Sequence, residues 1–82
     1  MEKNPENYSG KELKKIVGLN LKIGIGLVND AEAKEYIEGQ ILGFEIESFP
    51  PYSPRVVRID TGENTVKEYN IFELKSFEIR QD

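Results

Sequence analysis

The residues that could carry acid–base chemistry in this 82-residue chain are mainly carboxylates. The chain has no cysteine and no histidine, which excludes Cys–His and Ser–His nucleophilic arrangements and zinc sites built on those ligands. Carboxylates remain as candidate acids or bases, beside lysine and tyrosine. The central glutamates have no diagnostic spacing: they are Glu32, Glu35, Glu38, Glu45 and Glu47. We interpret them as exposed residues that provide solubility or block edge pairing, and we predict a non-enzymatic protein without catalytic residue, cofactor or metal site.

Basic residues form a second candidate site, on a hairpin in the middle of the chain. If Arg58 and Lys67 are cross-strand neighbours, they would meet a phosphate while nearby Tyr69 meets a base. The residues predicted to bind a single-stranded nucleic acid or a small nucleotide are Arg55, Arg58, Lys67 and Tyr69. The alternative is an ordinary solvated face that Glu68 and Glu78 neutralise. The formal net charge of −4 favours this alternative, so nucleic acid is our second choice of partner.

The third candidate site is aromatic. Phe49 and Tyr52 belong to the segment 49–54, in which three of the six residues are prolines and cannot donate hydrogen bonds to a sheet. This segment must connect two strands, and its prolines make it stiff. A preordered loop that carries aromatic rings loses little entropy on docking, so we predict that Phe49 and Tyr52 bind a protein partner. The alternative is that the rings cover an open end of a small hydrophobic core.

A short helix is the first element that must position these sites. Residues 1–8 are rich in charged and amide side chains and are predicted to form a mobile tail. Ser9 and Glu12 then form an S-x-x-E capping box, which predicts the start of a helix. The apolar residues that follow lie on one helical face, and Gly18 is placed to end the helix. We expect a single domain over residues 9–82, with this helix docked on its core.

Strands occupy the rest of the chain. Alternating apolar and polar residues predict them over about residues 21–27, 36–48, 55–60, 65–71 and 76–80. The residues 61–64 form the turn of a hairpin between the third and fourth strands. The parity of the long second strand changes near Leu42 and Gly43, and this change predicts a β-bulge or a strong coil of the strand.

One stretch of the long strand reads Gly39-Gln40-Ile41-Leu42-Gly43-Phe44-Glu45. Two glycines in an apolar run indicate a sharply bent strand. The stretch resembles the first motif of the Sm-like branch of small Src-homology-3-like barrels, in which spaced glycines end in Gly-Phe-Asp; Glu45 replaces the aspartate here. The order of a helix and five strands over residues 9–80 is also similar to that family. The resemblance implies a mainly β fold, a strongly bent five-strand antiparallel barrel with a short N-terminal capping helix.

The resemblance also implies a ring of subunits joined by edge strands, with single-stranded RNA held by loop residues. The second half of the chain departs from that pattern. Phe49 stands where the family usually has an asparagine, and residues 69–75 lack the family's Arg-Gly pair. Strand pairing between subunits does not depend on these residues. Our first-choice function is therefore a non-enzymatic module that binds a protein partner, assembles into a homo-oligomer, or does both.

The expected compartment is the cytoplasm, because the N-terminus shows no apolar targeting segment. The net negative charge also disfavours broad attraction to anionic lipid. We therefore predict no membrane partner.

Overall fold

One short helix and five strands build the fold, and the computed structural model describes residues 4–80. The helix α1 spans Gly10–Lys14, the strands are β1 Leu21–Ile25, β2 Glu35–Ile46, β3 Pro54–Gly62, β4 Thr65–Asn70 and β5 Leu74–Ile79, and 3₁₀ turns span Pro5–Asn7 and Ile71–Glu73. The strands form one antiparallel sheet in the order β4-β3-β2-β1-β5. The mainly β class predicted from the sequence is confirmed.

The helix α1 begins where its capping box predicts. The Glu12 N–H donates to Ser9 Oγ (3.2 Å), and the Ser9 N–H donates to Glu12 Oε1 (3.3 Å). This exchange satisfies backbone donors that a helix N-terminus otherwise leaves unpaired. Leu13 and Ile16 are buried against the sheet, and Gly18 follows with a φ of +84°. No helix among residues 4–80 is long and apolar enough to cross a membrane.

The long strand β2 joins the two halves of the sheet. Its first half pairs with β1 as far as Gly39, which lies opposite Leu21, and its second half pairs with β3. The register against β3 shifts between Ile41 and Gly43, which confirms the predicted bulge. A Cβ on Gly39 would overlap the carbonyl oxygen of Asp60 in β3. Glycine is therefore needed at this position because the two backbones approach so closely.

The core lies on one face of the sheet, and β1 supplies its centre. Leu21, Ile23 and Ile25 are buried, which confirms the alternation in this strand. Leu27 was predicted to continue the strand, but its side chain is 72% exposed. The strand ends at Ile25 because the Asp30 carboxylate accepts the Leu27 N–H (2.8 Å) and holds a turn. The other core residues are Leu13, Ile16, Ile41, Val57, Ile59, Ile71, Leu74 and Phe77.

The strands β4 and β5 are the two edges of the sheet. Among the described residues, β4 pairs only with β3 and β5 pairs only with β1, so the sheet is not closed. The 3₁₀ turn Ile71–Glu73 connects the two edge strands. The architecture is an open antiparallel sheet in a small globule with a Cα radius of gyration of 11.9 Å.

The N-terminal segment 4–8 packs against β5. Pro5 is buried, and the Tyr8 ring meets the Phe77 ring edge to face with centroids 5.4 Å apart. This segment therefore extends the core, although the composition of residues 1–8 predicts a mobile tail. Residues 1–3 of that tail lie outside the described residues, and the mobility itself stays a prediction.

Candidate interaction surface

The loop 47–53 between β2 and β3 is braced by its own backbone. The Glu47 N–H donates to the Ser53 carbonyl (2.9 Å), which closes the base of the loop. Nearer the tip, the Tyr52 N–H donates to the Phe49 carbonyl (2.9 Å) across two prolines whose shared peptide bond is cis. Tyr52 itself adopts a φ of +58°. The stiffness predicted from the prolines thus coincides with a compact turn that presents both aromatic residues.

Phe49 and Tyr52 are directed towards solvent. Their side chains are 59% and 52% exposed, and neither belongs to the core cluster. The nearby end of the core is covered by α1 instead: Leu13 is buried there, and Gly10 lies against Phe44 of β2. The alternative in which the two rings close the core does not match these exposures.

Arg58 and Lys67 are not the cross-strand neighbours that the basic strip on the hairpin requires. Arg58 lies opposite Glu68, whereas Lys67 lies opposite Ile59. Residues that face each other across an antiparallel pair share one side of the sheet, so Arg58 and Lys67 lie on opposite sides. Arg58 Nη1 also lies 3.6 Å from Glu45 Oε1. Arg58 is therefore balanced by carboxylates rather than joined to a second cation.

Tyr69 lies on the core side of β4, opposite Val57. Its ring is half-buried and packs against the core cluster. Burial raises the pKa of the Tyr69 phenol, and the charges of Glu35 and Glu73 raise it further. The phenol therefore stays neutral around pH 7, where it can donate a hydrogen bond. Arg55, the remaining member of the predicted set, is exposed at the start of β3, so the structure does not gather the four residues into one strip.

The carboxylates singled out in the sequence are dispersed. Glu38 forms an ion pair with Arg80, and Glu45 lies near Arg58. Within residues 4–80, no group of three or more Asp and Glu side chains is placed to hold a metal ion. Glu78, expected to neutralise the hairpin cations, lies opposite Lys22 of β1 instead.

A polar cleft of about 470 Å³ lies between the start of β1, the middle of β2 and the end of β3. Its side chains bind mainly one another: Gln40 Nε2 donates to Asn20 Oδ1 (2.8 Å), and Arg80 pairs with Glu38. The Asp60 carboxylate accepts the N–H of Gly62 within its own turn (2.8 Å). No sequence pattern predicts this cleft, because its walls come from segments far apart in the chain.

Comparisons with known proteins found no match to a family model, to a curated protein or to a solved structure. We therefore infer the function from the geometry of these surfaces.

Proposed function

We propose that this protein is a non-enzymatic interaction module that binds a protein partner through the aromatic loop 47–53. The observation that carries the proposal is the exposure of Phe49 and Tyr52 on a loop that its own hydrogen bonds hold in place. Exposed aromatic rings bury a large area when they dock, and a loop that is already ordered loses little entropy. These are the properties of an interface hot spot.

We propose that the scaffold is a partly open barrel of the Sm-like or Src-homology-3-like type. Two observations support a rolled sheet. Gly39 allows β2 to bend against Asp60 of β3. The charge of Glu35, at the start of β2, also reaches Tyr69 of β4, although β3 lies between these strands in the sheet.

Self-assembly through strand edges is the second part of the proposal. The β4 edge has no strand partner among the described residues, and its residues Thr65, Val66, Lys67 and Glu68 are exposed. An exposed edge offers unpaired backbone donors and acceptors to another chain. Lys67 and Glu68 oppose indiscriminate pairing, so a partner edge must match their charges. The cytoplasm remains the expected compartment for such a module.

The aromatic loop is tested with the double variant Phe49→Ala/Tyr52→Ala. Partners are captured with the immobilised wild-type protein and identified by mass spectrometry, and their affinity for each variant is then measured by calorimetry. We expect the double variant to lose about 2 kcal/mol of binding free energy or more. This loss corresponds to a dissociation constant that is roughly thirtyfold larger. Light scattering coupled to chromatography reports the oligomeric state of both proteins.

The matched control is Phe72→Ala, because Phe72 is also an exposed phenylalanine but lies on the 3₁₀ turn before β5. This control should bind as the wild type does. If the double variant keeps both its partner affinity and its oligomeric state, the loop is not the binding site.

Nucleic-acid binding remains the second choice, and its predicted strip is divided between two sides of the sheet. Fluorescence titration with short RNA, single-stranded DNA and nucleotides at two salt concentrations tests it. Binding through phosphates would weaken steeply with salt. If no ligand binds at the low or at the high salt concentration, this alternative is removed.

A further inference from the structure

Two exposed apolar patches of opposite charge flank β1. One consists of Val17, Leu19 and Leu42 with the lysines of α1 and its C-terminal cap, and we call it the basic patch. The other consists of Leu27 and Val28 with nearby carboxylates, and we call it the acidic patch. We propose that the basic patch of one copy binds the acidic patch of another copy, head to tail. This proposal uses neither the aromatic loop nor the strand edges, so it does not depend on the function proposed above.

The basic patch is assembled by one backbone hydrogen bond. The Gly18 N–H donates to the Ile41 carbonyl (3.1 Å), which places residues 17–19 beside the β2 bulge. Leu42 lies at this bulge, directly after buried Ile41, and its side chain is 49% exposed. Val17 and Leu19 are exposed as well. Apolar residues that gather at a surface in this way are typical of an interaction site.

Three lysines give this patch its charge: they are Lys11, Lys14 and Lys15. They lie at i, i+3 and i+4, so they share the side of the helix turned away from buried Leu13, and all three are exposed. Glu12, the carboxylate among them, accepts the Ser9 N–H in the capping box. The patch therefore combines apolar side chains with a local positive charge in a protein whose net charge is negative.

The acidic patch stands on a braced turn. The Leu27 N–H donates to Asp30 Oδ2 (2.8 Å), and the Asp30 N–H donates back to the Leu27 carbonyl (2.9 Å). Below the turn, the Lys34 N–H donates to the Ile25 carbonyl (2.8 Å). These bonds hold Leu27, the most exposed of the large apolar residues within 4–80, at the surface beside Val28. A flexible loop would not keep both side chains in one place.

Carboxylates surround the acidic patch. Asp30 is part of its turn, and Glu32 and Glu35 follow, both exposed. Lys34 is the one cation that the sequence supplies between residues 26 and 35, and Lys75 of β5 lies beside Gly26. The three carboxylates outnumber these two lysines. The local charge is therefore opposite to that of the basic patch.

Charge decides the geometry of the contact. Pairing two basic patches or two acidic patches would bring like charges together, which disfavours a two-fold dimer through either patch. The five residues of β1 separate the patches by roughly 17 Å, so one chain cannot join its own two patches. A head-to-tail contact places the positive patch of one copy against the negative patch of the next, and contacts of this type lead to rings or open chains.

Few apolar side chains take part in this contact. We therefore expect weak association, with a dissociation constant of about micromolar or higher.

Sedimentation velocity of the full chain over a range of concentrations tests the contact at low and high salt. Two charge reversals are compared with the wild type: Lys14→Glu/Lys15→Glu in the basic patch and Glu32→Lys/Glu35→Lys in the acidic patch. We expect the wild type to associate at low salt and at least about tenfold more weakly at high salt. Each reversed variant alone should stay monomeric at concentrations where the wild type associates.

An equimolar mixture of the two reversed variants should associate again. One variant then carries acidic charge in both patches and the other carries basic charge in both, so every contact between unlike chains is complementary. Simple damage to the fold would not be repaired by mixing. Circular dichroism confirms that each variant is folded.

The apolar part is tested with Leu27→Ser/Val28→Ser, which should weaken association at least about tenfold while leaving the charges intact. The matched control is Val66→Ser, because Val66 is 51% exposed but lies on the β4 edge. A wild type that is monomeric throughout at low salt, or a mixture that fails to associate, would overturn the proposal. The proposal would also be overturned if association required Val66, or Phe49 and Tyr52, but not Leu27 and Val28. That result would instead support assembly through the β4 edge or the aromatic loop.

Discussion

The middle of β2 and the loop that follows it belong to one hairpin but have opposite physical character. At the middle of the strand, Gly39 lies against the backbone of β3, where even a Cβ does not fit. In the loop 47–53, Phe49 and Tyr52 are large, apolar and more than half exposed. The smallest side chain is thus placed where packing is tightest, and two large rings are placed outside the packing. This hairpin therefore holds its tightest backbone contact and its most exposed rings at separate positions.

The largest effect is expected at Gly39. The Gly39→Ala substitution places a Cβ on the carbonyl oxygen of Asp60, which is backbone and cannot rotate away. We expect a loss of about 3 kcal/mol or more in the free energy of unfolding, measured by urea denaturation.

Gly43→Ala is the matched control in the same strand. Its Cβ would lie 3.1 Å from Arg58 Nη2, the end of a flexible side chain that can move. We expect a change within about 1 kcal/mol. Equal losses of unfolding free energy at both glycines would show that the close approach of Asp60 does not make Gly39 more sensitive to substitution than Gly43.

The second prediction concerns the stability of the loop variant. Because Phe49 and Tyr52 lie outside the core cluster, Phe49→Ala/Tyr52→Ala should change the free energy of unfolding by about 0.5 kcal/mol or less, while it removes about 2 kcal/mol of partner binding. Urea denaturation and calorimetry measure the two quantities on the same sample. A large loss of stability would mean that the two rings support the fold. The loop 47–53 would then contribute to stability, as the middle of β2 does.

The smallest effect is expected from Tyr69, on the core side of the hairpin. Its pKa is raised in the folded protein, so the folded state holds the phenolic proton more tightly than the unfolded chain does. The resulting contribution to stability is complete below the unfolded pKa of about 10 and is lost as the pH rises above it. Urea denaturation between about pH 8 and pH 11 should show a steeper loss for the wild type than for Tyr69→Phe. Parallel curves would contradict this role for the burial of Tyr69.

Local patterns predicted much of the fold. The capping box of Ser9 and Glu12 marked the start of α1, and the change of parity near Leu42 marked the bulge in β2. Both features depend on residues close together in the chain, which is why they can be recognised without a structure. Leu27 was assigned wrongly because alternation does not reveal that the Asp30 carboxylate ends the strand.

The candidate sites were less predictable than the fold. The prolines indicated a stiff loop, but only the structure gives the exposure of Phe49 and Tyr52. The predicted neighbours Arg58 and Lys67 lie on opposite sides of the sheet, because the hairpin register pairs Arg58 with Glu68. A shift of one residue in register moves a side chain to the other face, and sequence patterns do not locate a register that accurately.

The sequence by itself determined the mainly β class, the capped helix, the bulge of β2 and the position of a proline-rich aromatic loop, because each depends on propensity, periodicity or backbone freedom over a few residues. The tertiary structure alone decided which strands are edges, which cations share a face and which apolar residues remain exposed. These properties depend on contacts between distant segments, such as the bond from Gly18 to Ile41 and the approach of Asp60 to Gly39. The surfaces proposed for binding belong to this second group, since a surface is defined by what the fold leaves uncovered.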